Sequence, residues 1–212
     1  MILHIFTLTF EPANPVQFSI GELCSYLTGR LNEYTALHKN SSAGFIHRYP
    51  VVLCRQIKNT LMTVGISQGA DLIGQISDEQ GEIFTGETTC TITGRDTSIR
   101  NEEFGIAGTS FTYAFLTPWF ALNQQNAGKF YDLKGKPERD AFMQEILVRN
   151  LGTLAKSLDY ALPAPIVCEP NVRFRRDRIG REHGMVFLGK LRTNLKIPDN
   201  LGIGRFHRDL VP

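Results

Sequence analysis

Ile20, Leu23, Cys24, Leu27, Leu31, Tyr34 and Leu37 recur at spacings of three and four. That period matches the turn of an α-helix, so these side chains form one apolar stripe that has to be buried against a flat partner. Ser19 before the stripe and Glu22 three residues on make a capping box that fixes where the helix starts. The flat partner lies on either side of it in sequence. Ile2 to Phe10 alternates apolar and polar residues and stops at Glu11-Pro12, while Phe45 to Ile57 and Leu61 to Ile66 read as two strands around Lys58-Asn59-Thr60. Ser67 to Ile76, interrupted by Gly69 and Gly74, reads as a short helix, and the Thr-rich Ile83 to Ile92 as a closing strand. Strand, helix, strand, strand, short helix, strand is the ferredoxin-like (RRM-like) order, in which helices cover one sheet face. It ends near residue 100.

The rest of the chain repeats the order in shortened form, without a residue-level repeat. Phe104 to Leu116 reads as an aromatic-rich strand stopped by Thr117-Pro118 ahead of Trp119. Pro137 marks a helix start before the stripe Phe142, Ile146, Leu147, Leu151, Leu154 and Leu158. Ile166 to Phe174 and Met185 to Ile197 supply further strands. Over 212 residues this predicts an α+β chain of two tandem ferredoxin-like domains, residues 1–100 and 101–212, the second ending in a glycine-rich loop.

Charge divides the chain unevenly. Residues 171–212 hold ten Lys/Arg against four Asp/Glu, a net of +6, and the remainder holds 13 against 17, a net of −4. A basic C-terminal fifth on a slightly acidic body suits a polyanionic partner. Cys24, Cys54, Cys90 and Cys168 lie far apart, with no CxxC and no zinc-ligand spacing, and read as reduced structural thiols. The N-terminus MILHIFTLTFEP has neither a basic leader nor a cleavage site, and no apolar run approaches bilayer length, so a cytoplasmic protein without a membrane partner is expected.

The stretch NVRFRRDRIGREHG gathers Arg173, Arg175, Arg176, Arg178 and Arg181 around Phe174. On a strand, Arg173 and Arg175 share one face and Phe174 takes the other. Arg176, Arg178 and Arg181 are expected in the hairpin loop that follows, as a mobile basic finger whose planar guanidinium donors match phosphate oxygens. A solvated basic loop reads equally well from the residues. Near the C-terminus, Gly202 and Gly204 precede Arg205, His207 and Arg208, a pairing of close backbone approach with cations. His38 falls just beyond the first helical stripe, where the helix dipole favours the protonated imidazole, next to Lys39 and Asn40. A histidine that merely meets the last carbonyls is the plainer alternative. His4 and His47 read as strand residues and His183 as part of a hairpin. No Walker A, HExxH, GxSxG or Asp-rich two-metal pattern is present, so no cofactor or metal is expected and any nucleic-acid cleavage would be metal-independent.

GFIHRYPVVLCRQIKN, VGISQGADLI, FLTPWFALNQQN, EILVRNLGTLAKSLDY and GKLRTNLKIPDNLGIGR, in this order, resemble the CRISPR-associated repeat-cleaving endoribonucleases: the Cas-six family of the RAMP superfamily, in its b subtype. The resemblance implies two ferredoxin-like domains, a glycine-rich C-terminal loop near bound RNA, and cleavage of CRISPR repeat RNA (pre-crRNA). In that chemistry a ribose 2′-OH attacks the adjacent phosphate, leaving a 2′,3′-cyclic phosphate and a free 5′-OH. It puts the catalytic histidine on His38, assisted by Lys39 and Asn40, and assigns the RNA phosphates to Arg173, Arg175, Arg176, Arg178, Arg181, Lys190, Arg205 and Arg208. Where similar proteins carry a second histidine, this chain has Asn40, which orients or donates but exchanges no proton. The terminal GIGRFHRDLVP also lacks the family's further Arg-Gly-Phe-Gly. Other CRISPR-associated proteins and a second copy of the chain are the further partners implied. A non-catalytic protein that binds the repeat RNA without cutting it is the alternative.

Overall fold

The structure, a computed structural model, describes residues 1–12, 23, 26–27, 51–57, 60–77, 82–85, 88–179, 182–203 and 208–211. The chain forms two compact units, one of Ile2–Glu102 and one of Glu103–Pro212 with Met1.

The N-terminal unit contains β1 (Ile2–Pro12), β2 (Val52–Ile57), β3 (Thr60–Ile66), α1 (Gln68–Ser77), β4 (Glu82–Thr85) and β5 (Thr88–Glu103). They form one sheet in the order β2-β3-β1-β5-β4. β1 runs antiparallel to β3, from Ile5 opposite Ile66 to Phe10 opposite Leu61. Along β5, Thr93 Oγ1 donates to the Glu11 carbonyl at 2.9 Å and His4 Nδ1 lies 3.0 Å from Asn101 Oδ1, so β1 and β5 also run in opposite senses. His4 is thus a residue of the first strand, as the sequence predicts, and it is exposed although Phe6, Leu8 and Phe10 at the same parity are buried. Phe6, Leu8 and Phe10 of β1 join Leu61, Ala70 and Ile73 in one buried cluster. Leu23 and Leu27, in helical backbone one turn apart, complete that cluster, as the apolar stripe predicts. The remaining positions of the predicted stripe, the predicted capping box and His38 lie outside the described residues, as do His47 and the first part of the predicted Phe45–Ile57 strand.

One expectation changes here. The run Ile83–Ile92 is not one closing strand but part of a hairpin, with Glu82 opposite Thr91 and Thr85 opposite Thr88, after which β5 continues to Glu103. The segment 67–76 is the short helix that the sequence predicts, and its first glycine serves packing: a Cβ on Gly69 would collide with the Val51 carbonyl, so glycine lets α1 start directly on the sheet.

The C-terminal unit contains β6 (Gly105–Phe115), α2 (Gln124–Asp132), α3 (Lys136–Ser157), β7 (Cys168–Ile179), β8 (Glu182–Lys196), β9 (Gly202–Ile203) and β10 (Arg208–Val211). Its sheet order is β7-β8-β6-β10-β9. Numbered from each unit's own first strand, both sheets read second, third, first, fifth, fourth. The shortened copy seen in sequence is therefore a copy in topology, and the shortening falls at residues 197–201, which form a non-helical link where the first unit has α1. α3 starts as the sequence predicts, with Pro137 in its first turn and Glu138 Oε2 accepting from Lys134 N at 3.2 Å and Gly135 N at 3.4 Å. Its buried stripe is Met143, Ile146, Leu147, Leu151, Leu154 and Ala155. α2 was not expected; Asn123 caps it, its Oδ1 accepting from Asn126 N at 2.8 Å. Trp119, Phe130, Phe187, Leu191 and Leu195 are buried with α3 in the core of this unit. Burying each such side chain contributes roughly 1.5–3 kcal/mol. The Tyr113 hydroxyl, also buried, accepts from Ile197 N at 2.8 Å, and desolvation pushes its pKa up.

Cys54 and Cys168 are reduced thiols outside any disulfide, and burial raises the pKa of Cys168 to about 11, with the neighbouring Glu169 adding to the shift. Such a thiol is inert at neutral pH, in line with a structural role. Among the described residues, no helix is long and apolar enough to cross a membrane.

Candidate nucleic-acid interface

The basic stretch of the sequence becomes the β7–β8 hairpin, paired without interruption from Cys168 opposite Thr193 to Ile179 opposite Glu182. This corrects the expectation of a mobile basic finger. Arg176 pairs with Met185 and Arg178 with His183, so both belong to the strand and only residues 180–181 separate β7 from β8. The strand runs past Phe174 because β8 begins at Glu182 rather than at Met185, so each residue of β7 up to Ile179 has a cross-strand neighbour.

Directly opposite residues in an antiparallel pair share a face. Phe174 faces Phe187 and meets Phe130 of α2, so even positions of β7 point to the helix side. Odd positions point away from the helices. There Arg173 and Arg175 stand exposed, as their alternation predicts, and Asn171 and Glu169 bring Lys190 and Arg192 onto the same face. Lys190 and Arg192 lie opposite Ala114 and Thr112 of β6. The result is a row of four cations, two on each strand, with about 6.8 Å between alternate residues of one strand. Gly189 makes the row possible: its φ is +138° and an added Cβ would collide with the Asn171 carbonyl, so glycine alone lets β7 and β8 close beside Lys190.

One counter-charge stands beside the row at Glu169. Arg192 Nη1 lies 3.9 Å from Glu169 Oε2, with both side chains well exposed, a geometry that contributes little and leaves the guanidinium able to exchange partners. Lys196, further along β8, is instead committed to Glu103 at 2.6 Å, and that hydrogen bond and charge hold the Glu103 carboxyl below its ordinary pKa. One edge of the row is fixed from outside the hairpin: Trp119 donates to the Phe187 carbonyl at 2.7 Å and accepts from Phe187 N at 2.9 Å. This bridge extends the sheet one residue pair from Arg175.

Of the predicted site residues, Arg173, Arg175 and Lys190 share this face, whereas Arg176 stands exposed on the helix side. Arg178 and Arg208 are strand residues whose side chains lie outside the described residues. Arg181, Arg205, Gly204, His38, Lys39 and Asn40 lie outside them altogether. Gly202 is a buried residue of β9 opposite Asp209, not part of an open phosphate loop. Arg192 and Arg139 are cations the sequence reading did not select. Strand parity from Lys190 was enough to find Arg192. Among the described residues, no group of three or more His, Cys, Asp or Glu is arranged to hold a metal ion.

Comparison with known proteins covers almost the whole chain. Residues 1–103 match the model of the Cas6b N-terminal domain and residues 105–207 that of the Cas6b C-terminal domain. An uncharacterised protein of Methanocaldococcus jannaschii is 31% identical over 110 residues, spanning 50% of this chain and 73% of the relative. A crystal structure of Cas6b superposes with a TM-score of 0.82 at 24% identity, covering 97% of this chain and 94% of that one. A second, of a CRISPR RNA processing endoribonuclease Cas6b, gives 0.74 at 21% identity with both chains fully covered. At these identities the two structures establish the shared fold, two ferredoxin-like domains.

Proposed function

The chain belongs to the Cas6b family of CRISPR RNA-processing endoribonucleases, and on that premise we propose that it cuts CRISPR repeat RNA to mature crRNA without a metal ion. A ribose 2′-OH attacks the adjacent phosphorus as its proton passes to a base, and the 5′-oxygen departs with a proton. The products are a 2′,3′-cyclic phosphate and a free 5′-OH. His38 is the proton-exchanging group, Lys39 stabilises the charge gathering on the phosphorane oxygens, and Asn40 orients or donates. The predicted cations, Arg173, Arg175, Arg176, Arg178, Arg181, Lys190, Arg205 and Arg208, hold phosphates, and Arg192 joins them. The observation that carries the RNA-holding part is the row of Arg173, Arg175, Lys190 and Arg192 on the sheet face away from the helices. Its partners on this reading are the repeat RNA precursor, the CRISPR-associated proteins that receive the product, and a second copy of the chain.

The test is incubation of the purified protein with the repeat RNA of the array beside its gene, in EDTA. The expected result is one cut whose upstream product resists phosphatase and 3′ tailing until acid opens its cyclic phosphate to a monoester that the phosphatase then removes. Cleavage that appears only with added divalent cation overturns the metal-free mechanism. Intact RNA held in a tight, salt-sensitive complex selects the alternative, a repeat-binding protein that does not cut.

A smaller effect follows from the basic row. Each phosphate contact to a single strand contributes about 0.7 to the slope of log affinity against log salt. Replacing Arg173 and Arg175 together by Ala is expected to flatten that slope by about 1.4 and to weaken binding regardless of sequence. Fluorescence anisotropy titrations at four salt concentrations measure it, and an unchanged slope removes the two residues from the interface.

A further inference from the structure

Phe174 is 48% exposed although it belongs to an aromatic cluster. Beneath it, Phe130 meets it edge-on at 5.4 Å and 86°, and its cross-strand neighbour Phe187 lies at 6.3 Å. Those two rings are 2% and 1% exposed, so they form a fixed floor that pins Phe174 while leaving half of it to solvent. Arg139 of α3 holds its guanidinium 5.8 Å from the Phe174 ring centre and 5.5 Å from that of Phe130. Its Nε donates to the Leu133 carbonyl at 3.0 Å, so this cation is positioned by the protein before any ligand arrives. Arg176, two residues along β7 on the same side, is exposed.

A rigid, half-exposed ring flanked by two guanidinium groups suits one ligand chemistry well: an unpaired nucleotide, with its base on the ring and its phosphate on the cations. The flanking positive charge favours this anionic occupant over an apolar side chain of a partner protein. β7 is the outer strand of its sheet, so a nucleotide turned around that edge from Arg173 and Arg175 meets Phe174. We propose that Phe174, between Arg139 and Arg176, stacks one unpaired base of the bound RNA. This rests on the RNA-binding reading above and adds to it a residue that grips a base instead of the backbone.

The experiment compares wild type, Phe174→Leu and Phe174→Tyr for binding to the repeat RNA and to copies carrying one abasic nucleotide at each unpaired position. Leu keeps the apolar packing on Phe130 and Phe187 without a stacking face; Tyr keeps both. The expected result is binding weakened about tenfold by Phe174→Leu and preserved by Phe174→Tyr. One abasic position should weaken wild type and have no further effect on Phe174→Leu. Equal affinity of wild type and Phe174→Leu overturns the stacking role, as does an equal loss in Phe174→Leu and Phe174→Tyr, or an abasic scan without such a position. In each of those cases wild type still binds and the RNA-binding reading stands. A wild type that binds no repeat RNA overturns both.

Discussion

His38→Ala is expected to slow repeat cleavage by about 10²- to 10⁴-fold, the range that a positioned acid or base supplies. Affinity for the RNA should stay near that of wild type, because the cations proposed to hold the phosphates lie elsewhere in the chain. Single-turnover cleavage with protein in excess separates the two quantities, and a variant that cuts at the wild-type rate rejects His38 as the proton-exchanging group. The substitution at position 40 sharpens the expectation. Asn40 has no titrating proton, so on the proposed assignment one histidine exchanges the proton, and the pH–rate profile should show a single inflection between about pH 5 and 8. Two inflections would reveal a second acid or base that the sequence does not indicate.

Trp119→Ala is expected to lower the stability of the C-terminal unit by about 3–5 kcal/mol. The side chain is wholly buried, stacked on Phe115 at 5.2 Å and 4° and packed against Phe187 at 5.8 Å. Its removal leaves a large void between two strands. Trp119→Phe should cost clearly less. It keeps most of the stack and removes an indole N–H that has no hydrogen-bond partner among the described residues, a group whose burial itself costs about 1–3 kcal/mol. Urea denaturation of the three proteins measures both differences, and equal midpoints for Trp119→Ala and wild type would contradict the packing account. The loss should also reach RNA affinity, because the backbone of Trp119 clips β8 at Phe187, between the cationic row and the ring of Phe174.

What was legible in the sequence follows from how local each signal is. The β1 alternation, the Leu23 and Leu27 turns and the Pro137 start of α3 were readable because period and capping are properties of neighbouring residues. Arg173 and Arg175 sharing a face was readable for the same reason. The β4–β5 hairpin was overlooked because the threonines on both sides of Gly86-Glu87 read as one strand, although Gly86 was an available turn signal. α2 was missed because QQNAGKFYD carries few apolar residues, although Asn123 was an available cap signal. Arg176 and Arg178 were assigned to a loop because charge density resembles solvation. Only pairing with residues of β8 makes a strand of them. Arg139 had no signal at all, since what matters is its approach across space to the rings of Phe130 and Phe174.

β7 lies at the margin of its sheet, and among the described residues no further strand pairs with its outer side. An open margin of this kind recruits strands from other molecules and seeds precipitation, and natural proteins blunt it with charge. Arg173, Arg175 and Arg176 place like charges on both faces of that margin, so two copies approaching edge to edge repel each other. The groups proposed to grip RNA thereby also oppose edge-to-edge pairing of copies, so removing their charge is expected to raise the tendency to aggregate as well as to weaken binding.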